Sequence, residues 1–210
     1  MAHDFKKIQK ELYQPKTEAS LIDVPEMKFL MIDGAGDPNT SPAYAEAVQV
    51  LYGLSYTIRM NKTWDQYFEY VVPPLEGRWE VLDADFTGGG AAITDKNKLI
   101  WTGMIRQPDF VTVEVFEEAK KIAAIKKPDL DLSKIRLVTF REGLCIQIMH
   151  IGSYDEEPAT IAKIAEFAKA NGLVEDFTKD RGHHEIYLSD PRKSEPSRLK
   201  TIIRHPVRFI

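Results

Sequence analysis

The 210-residue sequence has a single cysteine, Cys145. One thiol cannot close an internal disulfide, and it leaves no thiolate pair for a structural zinc site. No apolar run approaches the roughly 20 residues needed to cross a bilayer. The longest, residues 144–151, is interrupted by Gln147 and His150. The first residues, Met-Ala-His-Asp-Phe-Lys-Lys-Ile, place charge where a signal peptide needs an apolar core. With so little cysteine, the expected home is the cytoplasm, away from membranes. A basic excess is missing too: 28 Lys and Arg face 32 Asp and Glu, for a net charge of −4. That excludes the electrostatic footprint of a general nucleic-acid binder. There is no Gly-x-Ser-x-Gly elbow. Gly88-Gly89-Gly90 lacks a following Gly-Lys-Ser/Thr, so it reads as a flexible loop and not a phosphate cradle. His183 and His184 adjoin Glu185, but neighbouring strand residues point to opposite faces and no third ligand is suitably spaced, so neither metal nor cofactor is expected.

What is present is ordinary in amount: 43% apolar and 29% charged residues, as in soluble globular chains. A chain of this length buries roughly 70% of its extended surface and can build a full core. Its organisation is a repeat. Residues 27–36 form an apolar strand ending in glycines, and after Pro42 a helix runs from Tyr44 to about Thr57, with Ala47, Val50, Leu51 and Leu54 at helical spacing. Strand-like runs follow at 69–79 and 99–106, the first bent or at an edge because Pro73-Pro74 cannot sit in a ladder. The second half repeats the order: a strand at 145–151, a helix from Pro158 to Ala170 stopped by Asn171-Gly172, then strands at 184–188 and 201–207. Between the halves lie a linking helix at 111–127 and a hairpin of 135–141 with 144–151, turning at Glu142-Gly143. The first 26 residues carry a short amphipathic helix with Phe5, Ile8 and Leu12 on one face. The expected fold is α+β: two strand-helix-strand-strand repeats about a pseudo-twofold axis, with a ligand groove between them.

Aromatics make up 10% of the chain but are unevenly spread. Trp64-Asp65-Gln66-Tyr67-Phe68-Glu69-Tyr70 holds four rings in seven residues, and Trp79 and Trp101 follow in the next strands. Such rings either fill a core or stack on a planar ligand, and the adjacent Asp65 and Glu69 favour the ligand. In His183-His184-Glu185-Ile186-Tyr187-Leu188, alternation assigns Ile186 and Leu188 to the helix-covered face and Glu185 and Tyr187 to the opposite, groove face. A partly desolvated Glu185 there would attract a cation or serve as a general base; the competing reading is a solvated edge glutamate. Tyr154 would lean over the same opening, while Cys145 reads as an inert core thiol.

His150-Ile-Gly-Ser-Tyr154, Asn171-Gly-Leu173, Glu185-Ile-Tyr-Leu-Ser-Asp-Pro191 and Lys200-Thr-Ile-Ile-Arg-His-Pro-Val207 together resemble the GyrI-like small-molecule-binding domain family, which also supplies the drug-sensing domains of multidrug-responsive regulators. Asp33-Gly-Ala-Gly-Asp-Pro-Asn39, Tyr70-Val-Val-Pro-Pro-Leu-Glu-Gly77 and Trp101-Thr-Gly-Met-Ile-Arg-Gln-Pro108 resemble its stand-alone subfamily of cyclopropanoid cyclopropyl hydrolases. The resemblance implies one domain over 27–210, with repeat one at about 27–108, a connector at 109–134 and repeat two at about 135–210, preceded by an extension at 1–26. It implies hydrolysis of planar, electrophilic xenobiotics. Trp64, Tyr67, Tyr70, Trp79, Trp101 and Tyr154 would bind the ligand. Glu185, with Glu69 as alternate, would activate water beside Tyr187. Thr201-Ile202-Ile203 departs from the Thr-Glu-Ile of many members, so one carboxylate of the drug sensors is absent. No helix-turn-helix precedes the domain, so the expected partner is an aromatic small molecule and not DNA; the oligomeric state is left open. A non-catalytic binder sequestering aromatic or cationic drugs is the alternative.

Overall fold

The computed structural model describes residues 2–81 and 95–210; the Gly88-Gly89-Gly90 loop lies outside the described residues. The described elements run α1 (Phe5–Ile8), α2 (Lys10–Tyr13), β1 (Ser20–Ala35), α3 (Pro42–Met60), β2 (Leu75–Val81), β3 (Leu99–Gln107), α4 (Val113–Lys126), β4 (Arg136–Ile151), α5 (Glu157–Ala170), β5 (Leu173–Glu175), β6 (His183–Tyr187) and β7 (Lys200–Phe209). The strands lie in the order β4-β1-β3-β2-β6-β7-β5, every neighbouring pair antiparallel, and β4 also pairs with β7. The large sheet therefore closes on itself into a barrel-like arrangement within a mixed α/β fold. Exchanging β1, β2 and β3 for β4, β6 and β7 leaves the pairing unchanged. The pair β1–β3 becomes β4–β7, and β2–β3 becomes β6–β7.

The register separates two faces. Glu185 lies opposite Gly77, Gly77 opposite Gly103, and Gly103 opposite Ile32. A Cβ on Gly103 would meet Leu51 of α3 at 3.2 Å, so this row faces the helices. The alternate row, Ile186, Glu76, Met104 and Met31, faces the barrel interior. Helix α3 buries Ala47, Val50, Leu51, Leu54 and Ile58 against the sheet, and α5 buries Ile164 and Ala168 against Ile146, Ile148, Ile203 and Val207. Along α3 that spacing is one stripe of a 3.6-residue period.

The interior is polar at its centre. His184 is hydrogen-bonded to Glu142 and Glu76, at 2.9 and 3.0 Å, and Arg204 Nη1 lies 3.5 Å from Glu142. The N-terminal turns dock on this cluster: Arg204 donates to the Leu12 carbonyl, and Gln147 donates to the Glu11 carbonyl at 2.7 Å.

Four expectations are corrected here. Residues 135–151 form no hairpin; β4 runs straight through Glu142 and Gly143, and β1 pairs along both of its halves. Gly143, at φ +74°, takes up the bend inside the strand without reversing it. The run predicted from residue 69 becomes a strand only at Leu75, since Pro73 and Pro74 have no N–H to give. Phe5 and Leu12 are buried in the core as expected, but Ile8 is 57% exposed, because residues 5–13 form two separate single turns and not one continuous helix. Finally, Glu185 and Tyr187 occupy the helix-covered side and Ile186 the barrel interior, the reverse of the expected assignment, because the interior tolerates the His184–Glu142 cluster and is not the apolar face.

Candidate functional site

Strand β6 carries His183, Glu185 and Tyr187 on its helix side, and they are wired together. His183 Nε2 lies 2.9 Å from Glu185 Oε1, and the Tyr187 hydroxyl donates to Glu185 Oε2 at 2.7 Å. Trp79, on β2, donates its indole N–H to the Tyr187 oxygen at 2.9 Å. Behind His183, its Nδ1 lies 2.7 Å from His205 Nε2, and His205 Nδ1 lies 2.6 Å from Glu175 Oε1. Glu157, from the first turn of α5, is buried and hydrogen-bonded to Glu185.

Rings surround these carboxyls. Tyr44, near the start of α3, meets Trp101 edge-on with centroids 5.0 Å apart and Trp79 at 5.8 Å; Tyr154 meets Tyr187 edge-on at 6.0 Å. Two glycines make room for them. A Cβ on Gly34 would fall 2.2 Å from the Trp101 ring, and one on Gly77 would fall 2.8 Å from Trp79 Nε1. Two buried polar atoms here have no hydrogen-bond partner: Trp101 Nε1 and Glu157 Oε1. Leaving such a group unpaired costs about 1–3 kcal/mol.

The two carboxyls are driven apart electrostatically. Burial, and then the negative charge of Glu185, raise the Glu157 pKa far above the carboxylate range. Burial works the same way on Glu185, but hydrogen bonds from His183, Tyr187 and Glu157 and the charge of His183 outweigh it and hold Glu185 ionised. Neighbouring carboxyls with opposite protonation are the pattern of an acid–base pair. Burial followed by the Glu185 charge pushes the Tyr154 phenol up to about 12, so it stays a donor. The donor atoms of Glu157, His183 and Glu185 lie within 4.8 Å of one another. Helix α5 thus supplies beside His183 and Glu185 the third group that sequence spacing did not offer; hydrogen bonds tie Glu185 to both of the others, and we read the cluster as proton-sharing.

Of the residues singled out from sequence, Glu185, Tyr187, Trp79, Trp101 and Tyr154 come together at this place. The remaining four do not join them. Trp64 donates its indole N–H to the Ile58 carbonyl at 2.9 Å, and Tyr67 donates its hydroxyl to the Arg59 carbonyl at 2.9 Å, so both tie down the end of α3. Tyr70 packs on Phe68 and Phe110, and Glu69 is solvent-facing beside Lys62 at 3.9 Å. Sequence reasoning missed Glu157, Tyr44, His205 and Glu175. Tyr44 and Glu157 each stand beside the proline that opens a helix, two residues after Pro42 and one before Pro158, and that shared placement was a readable signal. Nothing local marks His205 or Glu175, which only the β5–β7 and β6–β7 pairings bring near.

Residues 108–208 match the GyrI-like small molecule binding domain. The structure is similar to that of an uncharacterized conserved protein from Listeria innocua, with 48% identity, a TM-score of 0.91, and coverage of 98% of this chain and 100% of the other. It is similar also to a hydrolase from Listeria innocua, at 47% identity and a TM-score of 0.89 over 98% of this chain and 100% of the other. The EcmrR C-terminal domain shares the fold at 11% identity, with a TM-score of 0.54 over 92% of this chain and 98% of that one. No curated protein sequence matches. Among the described residues no helix is long and apolar enough to cross a membrane. The chain carries a GyrI-like small molecule binding domain over residues 108–208.

Proposed function

We propose that this protein hydrolyses planar, electrophilic small molecules, opening the activated cyclopropane of DNA-alkylating compounds and so detoxifying them. The observation that carries this reading is the hydrogen-bonded pair of Glu157 and Glu185 carboxyls, pushed in opposite directions by their surroundings and set among Tyr44, Trp79, Trp101, Tyr154 and Tyr187. The similar hydrolase from Listeria innocua adds support. The exchange symmetry of the strand pairing supports two repeats about a pseudo-twofold axis with a groove between them. To the site the first repeat lends Tyr44, Trp79 and Trp101, and the second lends Tyr154, Glu157, Glu185 and Tyr187.

In the proposed reaction the flat substrate stacks on the rings and displaces water. Glu185 takes a proton from a water whose oxygen attacks the cyclopropane carbon. The ring C–C bond breaks and its electron pair runs into the conjugated carbonyl. That oxygen gains negative charge, is held by Tyr154 and takes the Glu157 proton. Glu185 then returns a proton to Glu157 across their hydrogen bond, and the net change is addition of one water. Tyr187 donates to Glu185 and Trp79 to Tyr187, so Tyr187 aims the base. Trp64, Tyr67, Tyr70 and Glu69 take no part in this scheme.

Glu185→Gln tests it. The variant should bind the substrate and fail to turn it over, a loss of at least 10²-fold from removal of a general base; unchanged turnover refutes the assignment. The second reading, sequestration without chemistry, draws on the same carboxylate among aromatic faces, which suits a lipophilic cation. It predicts tight binding by wild type and release of unaltered ligand.

A further inference from the structure

Glu185 and Glu157 are chemically the same group, so something outside the pair must decide which one keeps the proton. The row of contacts behind Glu185 offers that asymmetry. Three successive links join Glu185, His183, His205 and Glu175, at 2.9, 2.7 and 2.6 Å. Each hydrogen bond needs one proton, so the four groups share three. Glu185 also receives the Tyr187 hydroxyl at 2.7 Å and the Glu157 proton, and a carboxyl accepting from three donors is best satisfied as a carboxylate. If Glu175 is also ionised, all three protons sit on the two imidazoles, which then carry one positive charge between them. Among the described residues no comparable row stands behind Glu157, and its Oε1 has no hydrogen-bond partner there.

We propose that the His183–His205–Glu175 chain is a positioning device that holds one extra proton next to Glu185 and thereby makes Glu185 the base and Glu157 the acid of the site. Its catalytic consequence rests on the hydrolytic reading; the proton count does not. Burial, and the closeness of His183, disfavour charge on His205 against the pull of Glu175, and in this scheme the shared positive charge is therefore assigned to the ring in contact with Glu185. The charged and titratable groups facing the two rings are Glu185 and Tyr187 from β6, Glu175 from β5, Glu157 from α5 and Glu142 from β4. Glu175 is the informative end. Its carboxyl is 20% exposed and touches His205, not the carboxyl pair, so its influence on Glu185 can pass only through the chain or through space.

The test uses the full-length protein with ¹⁵N-labelled histidine and the variant Glu175→Gln, which keeps shape and a hydrogen-bonding oxygen while removing the charge. At neutral pH, wild type should show His183 with both ring nitrogens protonated and His205 protonated at Nδ1 alone. Glu175→Gln should weaken the binding of the second proton on His183 by about tenfold, so that the doubly protonated spectrum gives way about one pH unit lower than in wild type. The acid limb of kcat/KM should move to higher pH by the same amount, since Glu185 then holds its proton longer. If Glu175→Gln does not fold, His205→Gln tests the same link and should give the same two changes. A singly protonated His183 in wild type, or a Glu175 variant that leaves both the His183 spectrum and the acid limb in place, overturns the proposal. Should wild type turn over no cyclopropane substrate, the hydrolytic reading fails while the histidine spectra still decide whether the chain holds its extra proton.

Discussion

Replacing His184 by Gln probes the polar cluster inside the barrel, where the energetics can be worked from the structure. Burial by itself would strip the proton from this ring, but Glu142 and Glu76 outweigh it and raise the pKa from 6.5 to about 9. Glu142, on which burial acts upward, is held at about 2 by His184 and Arg204. The His184 shift is worth about 3 kcal/mol at about 1.4 kcal/mol per unit. Folding raises this pKa, so the stabilisation is complete below about pH 6.5 and is lost as pH rises through about 9. Glu142 works in the other direction: its contribution is present above the ordinary carboxylate value of 4.5 and fades as pH falls through about 2. His184→Gln keeps the size of the side chain and removes the charge. Urea unfolding followed by tryptophan fluorescence should show a loss of about 3 kcal/mol at pH 6, or about 6–12 °C in Tm for a chain of this length. The difference from wild type should shrink steadily towards pH 9. A constant difference across that range would refute the account of a charged His184 between two carboxylates.

Three further outcomes follow from packing. Gly34→Ala places a methyl inside the volume of the Trp101 ring and should cost about 1–3 kcal/mol, with weaker ligand binding by titration because that ring moves; full affinity would remove Trp101 from the site. Trp64→Phe loses the bond to the Ile58 carbonyl and should cost about 1 kcal/mol in thermal denaturation, leaving ligand affinity unchanged; reduced affinity would return Trp64 to the site. Cys145 is fully buried and its thiol pKa is pushed far up, by burial first and then by Glu142, so a disulfide reagent at pH 8 should label it only as fast as the protein unfolds; rapid labelling of folded protein contradicts this.

The order of elements was legible because helix periodicity and proline placement are local. Ala47, Val50, Leu51 and Leu54 announce α3, and the linking helix and three of the four strands after the two long helices lie close to their expected places, the exception being the strand that starts late, at Leu75. The facing of β6 was not legible. Period-two alternation correctly puts Glu185 with Tyr187 and His184 with Ile186, but both faces of this strand are enclosed, and only the His184–Glu142–Arg204 cluster tells which side is the barrel interior. Ring density along the chain misled for a related reason. Trp64, Tyr67 and Tyr70 are close in sequence and pack as a brace under the end of α3, whereas Tyr44, Trp79, Trp101, Tyr154 and Tyr187 are far apart in sequence and meet through sheet register. The four-residue row from Glu185 to Glu175 spans three strands, so no window of sequence contains it.

The central claim is that this site adds water to a strained ring. Wild-type protein incubated with a spirocyclopropyl alkylating compound in ¹⁸O-labelled water, with the products weighed by mass spectrometry, tests it most directly. The account predicts a ring-opened product heavier by one water whose new oxygen comes from the solvent, absent with Glu185→Gln. Recovery of the compound unchanged in mass, even from a tight complex, would contradict it.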